Sequence, residues 1–235
     1  MSTNQFKDVT HCIFDMDGLL LKISTDTEKL YSDAFNRITN RYGKTFTWEH
    51  KAKIMGFKTT AVAEAVVEML SLPLTTEEFQ NQVVKIYQEI FPSAELMPGA
   101  ESLLRYLKRN NIPFALATSS SRENYELKTQ RWREVFDLFH HKVLGGSDPE
   151  VIHGKPAPDI FLVAAKRFPD DPDPSKCLVF EDAPNGVKAA QSAGMQVVMV
   201  PDPMLPKQYI ENPTLIINSL EEFKPEMFGL PSRNT

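Results

Sequence analysis

Cys12-Ile13-Phe14-Asp15-Met16-Asp17-Gly18 is the stretch that decides the fold, because an apolar run ends there at two aspartates. An uninterrupted apolar run is typical of a strand buried inside a parallel sheet. Ligands of such sheets bind beyond the carboxyl ends of the strands. The stretch therefore predicts a central strand that carries Asp15 and Asp17 to the ligand-binding edge of a sheet.

Two carboxylates this close together repel each other unless a cation lies between them. Mg²⁺ suits such a pair, since it prefers oxygen ligands and is often bound by carboxylates together with a substrate phosphate. The alternative is a strand that ends in an Asx turn, with Gly18 providing the backbone freedom. The stretch alone leaves both interpretations open.

The composition excludes several classes of partner. The 26 basic and 31 acidic side chains give a net charge of −5, and no basic cluster favours a nucleic acid polymer. The polar start of the chain lacks the apolar core of a signal peptide, and no apolar run is long enough to span a membrane. Cys12 and Cys177 lie in apolar runs, which predicts buried thiols in a reducing compartment and hence a cytoplasmic location.

A helical segment follows the first strand. Apolar residues recur at helical spacing, Thr75 and Glu78 form a predicted capping box, and Met97-Pro98-Gly99 ends the segment. We therefore expect residues 23–96 to form a helical domain, inserted into an α/β core of residues 1–22 and 97–235.

Helices and strands alternate after residue 97, which predicts a doubly wound parallel sheet covered by helices on both faces. Ser120 and Glu123 form a second predicted capping box, at the start of the helix after the second core strand. The expected strands of the core after the first are 112–117, 141–144, 177–180, 195–200 and 215–217.

Polar residues that could bind phosphate or a cation follow two of these strands, and another lies on a loop. Thr118 and Ser119 precede a helix, where backbone N–H groups and a hydroxyl bind phosphate well. Lys155 is a point charge suited to phosphate, and Glu181 and Asp182 are further oxygen ligands for a cation. Taken singly, these residues could instead be a helix cap, a solvated lysine and an acidic pair favoured by a helix dipole.

Taken together, the motifs resemble those of the haloacid dehalogenase-like hydrolases. Residues 14–18 resemble the first motif, Thr118 the second, Lys155 within 154–159 the third, and Glu181-Asp182 the fourth. The helical segment resembles the small cap that this family inserts between its first two motifs. The resemblance covers nearly the whole chain and implies the Rossmann-like core of the family.

The resemblance implies a Mg²⁺-dependent phosphatase that acts on a small phosphomonoester. Asp15 is then the nucleophile that forms an aspartyl-phosphate. Asp17 is the acid that protonates the leaving alcohol and the base that activates water. The remaining implied roles are phosphate binding by Thr118, the Ser119 backbone N–H and Lys155, and Mg²⁺ binding by Asp15, the Asp17 carbonyl, Asp182 and Glu181, the last directly or through water.

The resemblance also implies pseudouridine 5′-phosphate as the substrate and a role in nucleotide metabolism. One departure lies at Lys22-Ile23-Ser24-Thr25, four residues that lengthen the first hinge into the cap. A phosphatase of another sugar or polyol phosphate, a sugar-phosphate mutase and a non-catalytic binding protein remain alternatives. The stretches that carry the resemblance are 13–21, 96–101, 113–120, 153–161, 176–186 and 228–232.

Gly56-Phe57-Lys58 interrupts two predicted cap helices. We expect this turn to reach the active site, with Phe57 against a base or sugar and Lys58 against a polar group. A turn with a solvated lysine and a core aromatic is the alternative. A cap of this size does not require a dimer, so a monomer is expected.

Overall fold

The computed structural model describes residues 6–22, 27–54, 59–210 and 212–233. The chain divides into two compact units. The first comprises Met1–Leu21, Leu96–Ser121 and Trp132–Thr235, and the second comprises Lys22–Glu95 and Arg122–Arg131.

The first unit contains a six-stranded parallel sheet with the strand order β5-β4-β1-β6-β7-β8. This architecture confirms the predicted α/β fold with a doubly wound parallel sheet. A second sheet pairs β2 with β3, where the chain passes from one unit to the other. The strands are β1 (His11–Phe14), β2 (Leu21–Lys22), β3 (Glu95–Leu96), β4 (Phe114–Thr118), β5 (His141–Leu144), β6 (Cys177–Glu181), β7 (Gln196–Met199) and β8 (Leu215–Ile216).

Nine α-helices lie among the described residues, and five of them belong to the second unit. They are α1 (Thr27–Thr39), α2 (Trp48–Ile54), α3 (Thr59–Met69), α4 (Thr76–Ile90), α5 (Ala100–Arg109), α6 (Arg122–Thr129), α7 (Arg133–Phe136), α8 (Asp159–Lys166) and α9 (Pro184–Ser192).

The two faces of the sheet are packed with different side chains. Ile13 lies in a mainly aliphatic cluster that includes residues of α8 and α9 and also contains Phe161 and Phe168. On the next residue of β1, Phe14 stacks on Phe180 with a ring-centroid distance of 4.4 Å and meets Phe114 edge-on at 6.3 Å. Burial of each of these phenylalanines contributes about 1.5–3 kcal/mol. Because both faces are covered, β1 reads in the sequence as a continuous apolar run.

The helical unit has its own aromatic core. Phe35 meets Phe46 and Phe79 at centroid distances of 5.0 and 5.5 Å. The predicted capping box is confirmed at the start of α4, where the Thr75 hydroxyl accepts from the Glu78 backbone and the Glu78 carboxylate accepts from the Thr75 backbone.

Arg122–Arg131 belongs to the helical unit, although it lies within the 97–235 segment expected to be core. Lys128 accounts for part of this grouping, because its buried ammonium group lies 4.6 Å from the centroid of the Phe91 ring. The division of the chain into a catalytic core of 1–22 and 97–235 and a cap of 23–96 stays a prediction.

Two further observations concern the cysteines and the apolar character of the helices. Both thiols are buried, as predicted for Cys12 and Cys177. Among the described residues, none of the helices has the length and apolar character required to cross a bilayer.

Candidate active site

The strand register brings the predicted motifs together. Phe14 of β1 pairs with Phe180 of β6, and the Asp15 backbone N–H donates to the Phe180 carbonyl at 3.0 Å. Asp15 therefore lies beside Glu181, the last residue of β6. On the other side of β1, Phe14 pairs with Leu116 of β4, whose last residue is Thr118. Three neighbouring strands thus end at one place, as the sequence predicts.

Lys155 joins two of these strand ends. Its ammonium group donates to Asp15 Oδ1 and Glu181 Oε1, each at 2.6 Å, and to the Ala117 carbonyl at 3.2 Å. The Lys155 side chain is only 9% exposed, so this is a buried ion pair rather than a solvated lysine on a loop. Removing one partner of such a group leaves an uncompensated buried charge.

Asp15 and Asp182 hold their protons more strongly than exposed carboxyl groups do. Burial raises the pKa of Asp15 to about 7, and repulsion from Glu181 and Asp17 adds to the effect, whereas Lys155 lowers it. Burial and repulsion from Glu181 and Asp15 also raise the pKa of Asp182 well above its ordinary value. The pKa of Lys155 is raised: burial opposes its charge, but attraction from Asp15 and Glu181 prevails.

Glu181 is held by donors on both carboxylate oxygens. Oε1 accepts from Lys155, and Oε2 accepts from the backbone N–H groups of Asp182 and Ala183 at 3.0 and 3.1 Å. This network requires Gly186, because a Cβ atom on that residue would overlap the Glu181 carboxyl group. The sequence does not single out Gly186, because the close approach of the Glu181 carboxyl group is visible only in the structure.

The site fits a hard divalent cation. One oxygen from each of Asp15, Glu181 and Asp182 lies within 4.8 Å of the others. Lys155 bonds to two of these three carboxyl groups, so the cluster carries an excess of negative charge when all three are deprotonated. Gly18 allows the close approach of Asp182: its φ of +90° suits glycine, and a Cβ there would overlap the Asp182 carboxyl. The oxygen donors and the charge are those that Mg²⁺ prefers.

Thr118 and Ser119 follow the end of β4. Thr118 is buried, and its Oγ1 accepts from the Ser120 backbone N–H at 3.1 Å. Since this bond uses only a lone pair, the hydroxyl hydrogen can donate to a bound anion. Ser119 is exposed.

Asp17 and Ser120 meet through their side chains. The Ser120 hydroxyl donates a hydrogen bond to Asp17 Oδ2 at 2.9 Å.

The helix after β4 begins at Arg122, one residue later than a cap at Ser120 implies. The predicted contacts of Gly56, Phe57 and Lys58 lie outside the described residues.

The raised pKa values predict a pH-dependent response to metal. A carboxyl group with a raised pKa in the folded protein favours folding at low pH, and this contribution is lost as pH rises through the folded value, about 7 for Asp15. A metal binds the deprotonated groups. We therefore expect Mg²⁺ to raise the melting temperature more at about pH 7.5 than at about pH 5.

Thermal melts with and without Mg²⁺ at the two pH values measure this effect. Asp182→Asn is the matched variant, because it removes one charge and one ligand oxygen from the cluster. We expect it to abolish most of the Mg²⁺-induced stabilisation. An equal Mg²⁺ effect at both pH values, or in both proteins, would contradict the assignment.

Comparisons with known proteins identify the family of the chain. The sequence profile of the haloacid dehalogenase-like hydrolases matches residues 9–194. A Drosophila melanogaster protein named probable pseudouridine-5′-phosphatase is 54% identical, over 99% of this chain and 99% of its own. The mitochondrial (DL)-glycerol-3-phosphatase 1 of Arabidopsis thaliana is 51% identical, over 95% of this chain and 74% of its own.

A solved structure shares the fold. β-Phosphoglucomutase from Clostridium difficile superposes with a TM-score of 0.72 at 24% sequence identity, covering 94% of this chain and 97% of its own. At this level of identity the likeness concerns the fold alone.

Proposed function

Because this chain belongs to the haloacid dehalogenase-like hydrolases and is a phosphoric monoester hydrolase, we propose that it cleaves small phosphomonoesters through a phosphorylated Asp15. The observation that carries the proposal is the buried Asp15 carboxyl at the end of β1, held at 2.6 Å by the Lys155 ammonium group. Lys155 orients the carboxyl group and offsets part of its charge, so that an anionic nucleophile can face an anionic phosphate.

The reaction has two phosphoryl transfers. In the first, an oxygen of Asp15 attacks phosphorus, the bond from phosphorus to the ester oxygen breaks, and Asp17 gives its proton to the departing alcohol. In the second, water attacks phosphorus while Asp17 takes its proton, and the bond to Asp15 breaks. The products are an alcohol and inorganic phosphate, and both carboxyl groups return to their starting states.

The phosphoryl oxygens are bound by donors at the strand ends. Thr118 offers its hydroxyl hydrogen, Ser119 offers its backbone N–H, and Lys155 offers its charge. Such fixed donors supply much of the catalysis of phosphoryl transfer, because they are in place before the charge shifts.

Asp15, the Asp17 carbonyl and Asp182 would hold Mg²⁺, with Glu181 directly or through water. When bound, the ion offsets the negative charge of the carboxylates and of the phosphate. Both Glu181 oxygens already accept bonds from Lys155 and from backbone N–H groups. This supports a second role for Glu181, which is to hold Lys155 in place.

Pseudouridine 5′-phosphate is the proposed substrate, supported by the Drosophila relative that matches over the full chain. Glycerol 3-phosphate is the second candidate, because the plant glycerol-3-phosphatase is nearly as similar. Both are alkyl phosphates, so the chemistry above serves either one. We propose that the helical unit acts as the cap that selects between them, in a cytoplasmic monomer.

Phosphate release from a panel of esters tests the proposal. We expect Mg²⁺-dependent release with pseudouridine 5′-phosphate preferred over uridine 5′-phosphate and glycerol 3-phosphate, measured as kcat/KM. A preference for glycerol 3-phosphate would agree with the proposed chemistry but would contradict pseudouridine 5′-phosphate as the substrate. No release from any ester in the panel, with 4-nitrophenyl phosphate included, would contradict the phosphatase itself.

A further inference from the structure

We infer that Ser120 is a positioning residue, which holds the carboxyl group of Asp17 in the orientation that proton transfer requires. The inference rests on the proposed function, since it assigns Asp17 the role of acid and base. It adds a residue that lies outside the four motifs recognised in the sequence.

The hydroxyl of Ser120 joins segments that are distant in the sequence. It donates to Asp17 Oδ2 at 2.9 Å across 103 positions of the chain. Ser120 is 8% exposed, so water competes little for this bond. Proton transfer uses one oxygen of a carboxyl group, and a bond to Oδ2 is therefore compatible with transfer through Oδ1.

The backbone of Ser120 is held on both sides, which keeps its hydroxyl in place. Its N–H donates to Thr118 Oγ1 at 3.1 Å, and its carbonyl accepts from the Gly146 N–H at 3.3 Å. The neighbouring Gly145 N–H donates to the Thr118 carbonyl at 2.8 Å. The loop after β5 thus supports the loop that carries Ser120.

Gly146 shows how closely these two loops pack. A Cβ atom on Gly146 would lie 2.8 Å from the Ser121 backbone nitrogen and 3.1 Å from the Ser119 carbonyl oxygen. Real Cβ atoms are essentially never found at the shorter distance, so the loop packing requires glycine at this position. The support of Ser120 is therefore part of the fold rather than a chance contact of a surface side chain.

The backbone around Asp17 lies in a tight turn. The Gly18 N–H donates to the Leu21 carbonyl at 2.9 Å, and the Leu20 N–H donates to the Met16 carbonyl at 2.9 Å. These bonds involve the backbone around Asp17 and not its side chain. The bond from Ser120 restricts the torsion angles of that side chain, and accurate placement of an acid lowers the barrier of the step that it serves.

Leaving-group dependence tests this role. An alkyl ester needs a proton donor for its departing oxygen, whereas 2,4-dinitrophenolate leaves without one. We expect Ser120→Ala to lower kcat/KM for glycerol 3-phosphate by about 10-fold and for 2,4-dinitrophenyl phosphate by less than about 3-fold. Ser102→Ala is the matched control, because its exposed hydroxyl bonds only within the first turn of α5. It should change neither value.

A double-mutant cycle shows whether Ser120 acts through Asp17. In the Asp17→Asn background, Ser120→Ala should cause little further loss on the alkyl ester. Equal losses on both esters, no loss on either, or a full additional loss in that background would overturn the inference while leaving the phosphatase intact. If the wild-type protein cleaves neither ester, the proposed function fails and the role of Ser120 fails with it.

Discussion

Asp15→Asn is expected to lower turnover by at least about 10³-fold while leaving the fold unchanged, because it removes the nucleophile. The amide has nearly the same shape as the carboxyl group and carries no charge. Lys155 keeps Glu181 and the Ala117 carbonyl as partners. The pKa of Asp15 is raised to about 7 by burial, so a neutral group at this position costs the folded protein little. We expect a melting temperature within a few degrees of the wild type in the absence of metal.

Asp202→Asn is the matched control for this experiment. Asp202 lies on a loop and accepts from the Met204 backbone N–H at 2.7 Å, a bond that an amide oxygen can also accept. Steady-state kinetics and thermal melts of the two variants separate loss of chemistry from loss of structure. Wild-type turnover by a folded Asp15→Asn variant would mean that another group attacks phosphorus.

Lys155→Met is expected to impair both activity and stability. The substitution preserves much of the side-chain volume but removes the ammonium group that bonds to Asp15 and Glu181. We expect the free energy of unfolding to fall by about 3 kcal/mol near neutral pH, since buried carboxylates lose their partner. The loss should shrink at about pH 5, because Asp15, whose pKa is raised to about 7, is then protonated. Turnover should fall by at least about 10²-fold.

Lys142→Met provides the comparison for Lys155→Met. Lys142 lies in β5 and reaches Asp137 at 3.9 Å near the surface. Such a pair contributes at most about 1 kcal/mol, so the variant should unfold almost as the wild type does. Denaturant unfolding at the two pH values measures the difference. Equal stability of the two lysine variants would show that the buried ion pair does not hold the site together.

The strands and the polar residues at their ends could be predicted from the sequence, because each depends on a short stretch of neighbouring residues. An apolar run followed by acids predicts a buried strand with carboxylates at its end, and parallel strands end at one edge. Asp15 and Glu181 accordingly lie at the ends of neighbouring strands, and Lys155, on a loop, bonds to both. The roles assigned to these residues are proposals that the substitutions above test.

Other features depend on side-chain positions that no local pattern reveals. Ser120 and Glu123 have the spacing of a capping box, and that spacing does not reveal that the Ser120 hydroxyl bonds to Asp17, far away in the sequence. Gly186 is an ordinary helical glycine in the sequence, and only the structure shows that the Glu181 carboxyl group occupies the space of a Cβ atom at this position. The grouping of Arg122–Arg131 with the helical unit likewise depends on a contact between Lys128 and Phe91.

Mass spectrometry of the Asp17→Asn variant mixed with 4-nitrophenyl phosphate and Mg²⁺ tests the central claim most directly. Nitrophenolate leaves without an acid, so the first transfer proceeds, whereas the second transfer lacks its base and is slow. We expect a burst of nitrophenolate, one added phosphoryl group per chain, and its location on Asp15 after peptide mapping. A burst with no labelled protein, or a phosphoryl group on another residue, would contradict the proposed intermediate.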